Sequence, residues 1–188
     1  SDLLINTHYL AGKVQESVKR RKNKIGITLV YEPQLLGSAG TIFANKHFFE
    51  NDNDFLLLYS DNLTDVSLTG IIDFHKSVDS VFTTFIYETD KPTEKGIFEY
   101  DLHTGKVISF EEKPLCPRTN YANAGIGVLN REIFNYDLHF PDIPLDFGKS
   151  VMPLITDKMY VLKTDKCIID IGSVEDYKTA QEIWKKHI

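Results

Sequence analysis

Two aspartates occupy similar positions in this 188-residue chain, each at the end of a hydrophobic strand pattern. Asp61 follows the apolar run 55–59, and Asp170 stands near the end of the run 167–171. Ligands of open parallel sheets gather at the carboxyl ends of the strands. Mg²⁺ is commonly held there by one or two carboxylates together with substrate phosphates. The two aspartates therefore suggest a shared Mg²⁺ site, although either could instead cap a turn or a helix.

A glycine-containing turn, LGSAGT at 36–41, separates a strand pattern from a helix pattern. Glycine permits positive φ and close backbone approach, and a helix N-terminus offers N–H groups to an anion or a base edge. Gly37, Ser38, Ala39 and Gly40 are therefore candidate nucleotide-binding residues. The alternative is a turn that only lets helix and strand pack. A valine at Gly37 is expected to weaken nucleotide binding without changing the fold.

The string EEKP at 111–114 ends another strand pattern with two acids and a lysine. Lys113, held by the proline that follows it, could meet a phosphate as a compact positive charge. Glu112 could accept hydrogen bonds from sugar hydroxyls. The alternative is an ordinary solvated, charged loop.

Strand and helix patterns alternate through the first half of the chain, which favours an α/β fold with a mainly parallel sheet. The run 55–59 is continuously apolar, as in a strand buried on both faces. The second half contains mostly strands, with a hairpin turn at 103–105. Strands are predicted at 3–6, 25–31, 55–59, 80–87, 96–101, 106–110, 123–129 and 167–171, and helices at 9–21, 39–49, 68–76, 147–156 and 174–186.

Composition limits the classes of function. The chain is 42% hydrophobic and 26% charged, which suits one globular domain spanning 1–188. A net charge of -6 argues against a nucleic-acid-binding surface. Two cysteines without metal-type spacing suit a reducing, cytoplasmic location. No apolar run approaches the length of a membrane span.

Taken in order, these motifs resemble the sugar-1-phosphate nucleotidyltransferases, also called NDP-sugar pyrophosphorylases. The likeness extends over nearly the whole chain and leans towards the mannose-1-phosphate guanylyltransferase-like branch. The matching strings are EP with LGSAGT at 32–41, SD at 60–61, KGI at 95–97, FEEKP at 110–114, NAGI at 123–126 and DIGS at 170–173.

The resemblance implies a fold, a reaction and part of a site. The fold is a Rossmann-like three-layer sandwich with a mixed, mainly parallel central sheet. A nucleotidyl group passes from an NTP to a sugar 1-phosphate, giving an NDP-sugar and pyrophosphate. Asp61 and Asp170 would bind Mg²⁺, Lys113 would touch the sugar phosphate, and residues 37–40 would contact the base or ribose.

The same resemblance implies where the sugar binds. Gly96 would let the backbone approach the sugar, and Glu112 and Asn123 would bind its hydroxyl groups. Gly125 belongs to the same sugar-binding string as Asn123. The identity of the base and of the sugar stays open, because single hydrogen bonds distinguish them.

Two features depart from the family pattern. Ser60 stands where the family usually has glycine before the metal-binding aspartate. The family's first strand, its glycine-rich loop with a basic residue, and a further lysine are not in the sequence. A strand–helix–strand unit of roughly 30 residues is therefore expected to be missing upstream, and activity would be weak without it.

Other functions remain open. The chain could be a non-catalytic regulatory or sugar-phosphate-binding homologue, or an inactive fragment of the enzyme. A glycosyltransferase usually carries an Asp-x-Asp motif, whereas residues 61–63 offer a single acid. The aromatic stretch 134–147 could be a packed loop or the interface of a homo-oligomer.

Overall fold

The computed structural model describes residues 2–22, 25–136 and 144–187, and it has mixed α/β architecture. Every strand predicted from the sequence has a counterpart, and so does every predicted helix except the one expected at 147–156. The strands are β1 Asp2–Thr7, β2 Gly26–Tyr31, β3 Asp54–Leu58, β4 Asn62–Thr64, β5 Phe82–Glu88, β6 Gly96–Tyr100, β7 Val107–Glu112, β8 Tyr121–Asn130, β9 Met159–Lys163 and β10 Ile168–Asp170. The α-helices are α1 Ala11–Arg20, α2 Gly37–Ala44, α3 Leu68–Ser77 and α4 Val174–His187.

A six-stranded mixed sheet forms the centre of the molecule. Its strand order is β7-β6-β8-β5-β9, and β3 pairs with the second half of β8. β5 and β9 run parallel, whereas β8 runs antiparallel to β3, β5 and β6. Two smaller sheets complete the fold: β1 with β2 in parallel, and β4 with β10 antiparallel. The last pairing brings the segments that carry the two aspartates together.

The prediction of a mixed sheet is confirmed, but the expected majority of parallel pairs is not found among the described strands. Only β1–β2 and β5–β9 are parallel. The reason is topological: β6 and β7 form a hairpin, and β8 runs back through the middle of the sheet. β3 also differs from the prediction of a strand buried on both faces, because Leu56 and Leu58 are exposed while Phe55 and Leu57 are half-buried.

Side chains from both faces of the central sheet enter separate hydrophobic clusters. On one face, Phe85, Ile126 and Val128 pack with Ile71 of α3. On the other, the larger cluster includes Ile42 of α2 and the side chains of the segment 147–155. The sheet is therefore covered on both sides, as the three-layer prediction requires.

The N-terminal unit, β1-α1-β2, packs loosely against the rest of the molecule. Thr7 is the one residue of these three elements that is buried, and α1 contributes none. Among the described residues, β1 and β2 pair only with each other. The edge of β3 opposite β8 likewise has no strand partner within those ranges.

Three segments differ in detail from the sequence prediction. The helix expected at 39–49 ends at Ala44, and a separate 3₁₀ turn follows at Lys46–Phe49. The helix expected at 147–156 is a π-helical turn, Phe147–Val151, followed by a 3₁₀ turn, Met152–Leu154. Pro153, which lacks an N–H, prevents a regular helix there. Of the aromatic stretch 134–147, residues 137–143 lie outside the described residues.

No helix in the described part of the chain combines the length and the hydropathy needed to cross a membrane.

Candidate active site

The side chains of Asp61 and Asp170 converge at the rim formed by β4 and β10. Asp170 pairs with Asn62 in this ladder, and the N–H of Ile171 donates to the backbone carbonyl of Asp61 at 2.7 Å. A Cβ added to Gly172 would lie 3.0 Å from Asp170 Oδ1 and 3.7 Å from Asp61 Oδ2. Both carboxylates therefore lie within 4 Å of one point. The convergence expected from the sequence is present.

A lysine that the sequence reading did not single out already engages one of these acids. Lys95 Nζ donates to Asp170 Oδ2 at 2.7 Å, and the N–H of Gly172 donates to Asp170 Oδ1 at 2.8 Å. The hydrogen bond from Lys95 holds the pKa of Asp170 below its ordinary value, against the opposing effect of burial. Burial lowers the pKa of Lys95, but its interactions with Asp170, Tyr87 and Glu94 raise it to a net value above normal.

Glu112 lies between two glycines. Its Oε2 would be 2.7 Å from a Cβ added to Gly96, which pairs with it across the β6–β7 hairpin, and 2.7 Å from one added to Gly148. Burial raises the pKa of Glu112, and the charge of Asp146 raises it further. A side chain at either glycine would crowd this carboxylate. The structure thus keeps Glu112 half-buried in close contact with the backbone of Gly96.

Lys113 has a backbone conformation that few side chains adopt. Its φ is 51°, in the left-handed region, and it precedes Pro114. The residue before a proline normally prefers extended backbone. Its N–H donates to the carbonyl of Lys95 at 3.0 Å, and its charge reaches both Glu112 and Asp170. Strained backbone of this kind clusters at functional sites, which fits a positioned cation.

Asn123 and Gly125 approach the aspartates from β8. The amide oxygen of Asn123 accepts from Thr84 Oγ1 at 2.9 Å and from the N–H of Gly125 at 3.1 Å. That arrangement leaves the amide nitrogen as the end available to a ligand. Gly125 has φ of 67°, and an added Cβ would collide with the side chains of Asn62 and Tyr59. Only glycine lets β8 pass this close to the segment carrying Asp61.

The glycine turn packs against the segment that contains Leu145. The N–H groups of Ala39 and Gly40 donate to the carbonyl of Leu145 at 3.0 and 3.4 Å. Gly37 has φ of 84°, and an added Cβ would collide with the backbone of Leu145. These N–H groups are therefore engaged within the protein. A valine at Gly37 would displace this packing, contrary to the expectation of an unchanged fold.

Tyr59 links the glycine turn to the acidic residues, and sequence reasoning missed it. Ser38 Oγ accepts from the N–H of Phe147 at 2.8 Å and hydrogen-bonds Tyr59. Burial raises the pKa of Tyr59 to about 12, and the charges of Asp146, Glu112 and Asp61 act in the same direction. The phenol therefore stays neutral at physiological pH. The side chain of Tyr59 thus interacts with the turn through Ser38 and lies within the electrostatic reach of Glu112 and Asp61.

The residues present fit a magnesium ion. The described residues contain no group of three or more acidic, histidine or cysteine side chains that could enclose a metal. Mg²⁺, however, usually takes one or two carboxylates and completes its shell with water and substrate phosphates. Asp61 and Asp170 provide that pair. When bound, the ion would neutralise charge on phosphate oxygens.

Comparisons with known proteins show the family of the chain. The profile of one family, described as nucleotidyl transferase, matches residues 1–187. The chain belongs to the nucleotidyl transferase family. Its relatives include mannose-1-phosphate guanyltransferase beta-A of Xenopus laevis, 23% identical over 98% of this chain and 53% of that protein. Glucose-1-phosphate adenylyltransferase of Thermotoga sp. (strain RQ2) is 31% identical over 75% of this chain and 36% of that one.

Solved structures show the same fold. HddC from Yersinia pseudotuberculosis, crystallised with GMP-PN, superposes with a TM-score of 0.75 at 24% identity, covering 96% of this chain and 77% of that chain. A Bacillus anthracis protein provisionally named a glucose-1-phosphate thymidylyltransferase, solved with sucrose, gives a TM-score of 0.82 at 17% identity, covering 96% and 74%. The fold is therefore that of the nucleotidyltransferases. The chain spans about half the length of the Xenopus relative.

Proposed function

We propose that this nucleotidyl transferase family chain carries the site for Mg²⁺-dependent transfer of a nucleotidyl group from an NTP to a sugar 1-phosphate. The observation that carries the proposal is the convergence of Asp61 and Asp170 on one point beside Gly172. The positions of Lys113, whose charge acts on Asp170 and Glu112, and of β8, where the carbonyl of Ala124 next to Asn123 accepts from Asn62, support it. The two free cysteines are compatible with a cytoplasmic setting.

The reaction requires positioning more than side-chain chemistry. A phosphate oxygen of the sugar 1-phosphate forms a bond to the α-phosphorus of the NTP. The bond from that phosphorus to the oxygen shared with the β-phosphate breaks, and pyrophosphate leaves. Phosphoryl-type transfer depends on alignment and on stabilising developing negative charge. Asp61 and Asp170 would hold the ion, and Lys113 would orient the attacking phosphate.

The sugar would bind on the β6–β8 side of the site. The Glu112 carboxylate can accept hydrogen bonds from hydroxyl groups, and the Asn123 amide nitrogen can donate to them. Gly96 lets its backbone lie close to Glu112, because a side chain there would collide with Glu112 and with the ring of Phe110. The glycine turn and Tyr59 would form the nucleotide side. Because Leu145 already occupies the N–H groups of the turn, the base or ribose, rather than a phosphate, is the group expected there.

Pyrophosphate release tests this function. Each of the four common NTPs, with GTP as the first choice, would be incubated with mannose, glucose or heptose 1-phosphate in the presence of Mg²⁺. Asp61→Asn should reduce the rate by a factor of about 100 or more, because the remaining carboxylate holds the ion poorly. Asp73→Asn, an exposed acid on α3, is the matched control and should leave the rate unchanged.

A thermal-shift screen in the same buffers separates binding from turnover, since a ligand that binds the folded state raises its apparent stability. Stabilisation by nucleotide and sugar phosphate without pyrophosphate release would favour the non-catalytic homologue. The proposal would be refuted if no pair of nucleotide and sugar phosphate either stabilised the protein or released pyrophosphate.

A further inference from the structure

Lys95 occupies the place where a divalent cation would approach Asp170. Its ammonium group lies 2.7 Å from Asp170 Oδ2, while the other oxygen of that carboxylate is bound by the N–H of Gly172. The side chain of Lys95 is 26% exposed and that of Asp170 is 45% exposed. The pair is thus partly withdrawn from solvent. Both oxygens of one proposed metal ligand are engaged by the protein itself.

This ion pair differs from the other lysine–acid pairs of the described residues. Lys163–Glu88 at 2.6 Å and Lys158–Asp79 at 2.9 Å also join distant parts of the chain. What sets the Lys95 pair apart is that its acid, Asp170, converges with Asp61 beside Gly172. Lys95 is also fixed at its backbone, because its carbonyl accepts from the N–H of Lys113. Its ammonium group is therefore held at the acid pair rather than sampling solvent freely.

An ammonium group and a divalent cation cannot take the same carboxylate edge at once. Two positive charges a few ångströms apart repel strongly where water is partly excluded. We propose that Lys95 is a positioning residue that acts as the resident counter-cation of the Asp61–Asp170 pair, so that the free ion binds weakly and enters chiefly together with the nucleotide. This inference rests on the proposed function, because it assumes that the pair binds metal.

The consequence is an ordered loading of the site. Without nucleotide, Lys95 balances the charge of Asp170 and keeps its carboxylate oriented. With nucleotide bound, the phosphates would supply further oxygen ligands and negative charge, and Lys95 would give up its contact with Asp170 to the ion. The ammonium group of Lys95 would then lie beside the phosphates, where it would still offset their negative charge.

Direct binding of Mn²⁺ to nucleotide-free protein tests this inference without any activity measurement. Electron paramagnetic resonance measures the concentration of free Mn²⁺, and calorimetry measures the heat of binding. Lys95→Met keeps most of the aliphatic stem and removes the charge, and it should bind Mn²⁺ about tenfold more tightly. Lys95→Arg keeps the charge and should bind Mn²⁺ as the wild type does. Lys163→Met removes a comparable pair elsewhere and should also match the wild type.

The outcomes distinguish this inference from the proposed function. Unchanged or weaker Mn²⁺ binding by Lys95→Met would overturn the role of Lys95 alone, provided that the wild type binds the ion and Asp170→Asn does not. The double variant Lys95→Met, Asp170→Asn provides a second check. If it also bound Mn²⁺ more tightly than the wild type, the ion would lie elsewhere and the role of Lys95 would be overturned. Absence of Mn²⁺ binding in every variant, with and without nucleotide, would refute the metal site and both proposals with it.

Discussion

In the proposed function, Glu112 would serve sugar binding at some expense to stability. Its carboxylate lies between Gly96 and Gly148 and feels the charge of Asp146. Burial and this neighbour both raise its pKa, so the folded state binds a proton more readily than the unfolded state does. The contribution of Glu112 to the free energy of unfolding is therefore highest below its ordinary pKa of 4.5, and it declines as pH rises through the higher pKa of the folded state.

Glu112→Gln should consequently stabilise the protein at pH 7.5 while weakening sugar-phosphate binding. The amide keeps the shape of the side chain but carries no charge to bury. The melting temperature should exceed that of the wild type at pH 7.5, and the difference should shrink towards pH 4.5. Glu111→Gln, on the exposed neighbour in the same strand, should change neither property. A lower melting temperature for Glu112→Gln at pH 7.5 would contradict the argument.

The residues that sequence reasoning found and missed share a simple difference. Asp61, Asp170 and Glu112 stand at the ends of apolar runs, so a pattern marks them. Lys95 and Tyr59 act through partners that lie far away in sequence, and nothing local marks them. The separation of 75 residues between Lys95 and Asp170 shows why: only the folded chain brings such charges into contact.

At the scale of elements, the glycine turn and the segment around Leu145 form one structural unit. The backbones exchange hydrogen bonds in both directions: Leu145 donates to Leu36, and its carbonyl accepts from Ala39 and Gly40. This packing explains the need for glycine at position 37 without reference to a ligand. The prediction of a turn followed by a helix was confirmed, whereas the partner of the turn could not be predicted because it lies in a distant, irregular segment.

Gly37→Ala should therefore destabilise the protein by about 2 kcal/mol or more, since the left-handed φ and the collision with Leu145 both oppose a side chain. Gly70→Ala in α3 is the matched control, because an added Cβ there has no neighbour within 4 Å. Its higher helix propensity should stabilise the protein by up to about 1 kcal/mol. Urea denaturation of both variants measures the difference, and equal effects would contradict this account.

α3 is connected to the sheet by a buried histidine. His75 Nδ1 lies 2.8 Å from Thr83 Oγ1, and Nε2 lies 3.3 Å from Asp54 Oδ1. Burial lowers the pKa of His75 more than Asp54 raises it. The folded state thus favours the neutral ring, and the associated stability is present above the ordinary pKa of 6.5 and lost as pH falls through the lower pKa of the folded state.

His75→Gln should make the free energy of unfolding less dependent on pH in the acidic range. The wild type is expected to lose stability between pH 6.5 and about pH 5 more steeply than the variant, because only the wild type must protonate a buried ring. Chemical denaturation across this range gives the comparison. Parallel curves for the two proteins would exclude His75 as the titrating group. The variant should be less stable than the wild type at pH 7.5, where the hydrogen bonds of the ring are intact.

Across the whole molecule, stability is distributed unevenly. β5 and β8 lie in the middle of the central sheet, and nearly all residues of β8 are buried. β1, α1 and β2 contribute one buried residue between them. Few apolar contacts and exposed backbone hydrogen bonds mark the regions that open most easily.

Hydrogen exchange should reveal this gradient. The amides of β1, α1 and β2 should exchange at least about 100-fold faster than those of β5 and β8, as expected for local rather than global opening. The contacts of the buried Glu32 with Leu36 and Thr41 should make the junction at the end of β2 the slowest part of the N-terminal unit. Uniform protection along the chain would contradict this distribution.

The overall architecture was more predictable than the pairing of its strands. Hydrophobic patterns indicated most of the strands, because the burial of each strand face determines which of its own residues are apolar. Two strands were missed: β4 at Asn62–Thr64, which is only three residues long, and β9 at Met159–Lys163, which follows directly on short irregular turns. Strand direction was predicted poorly because β8 serves three antiparallel partners at once. Strand pairing depends on contacts between segments that are distant in sequence, and a single sequence does not show which segments meet.

The hydrogen bond from Phe147 to Ser38 spans 109 residues. During synthesis, the glycine turn must leave the ribosome long before its covering segment has been made. Chains emerge at roughly 5–20 residues per second, so the turn waits on the order of ten seconds with its N–H groups bonded to water. Closing so long a loop is also slow. The nucleotide side of the site is therefore expected to be among the last parts of the molecule to mature, and a translational pause before residue 147 would leave the nascent chain unable to hold its ligand.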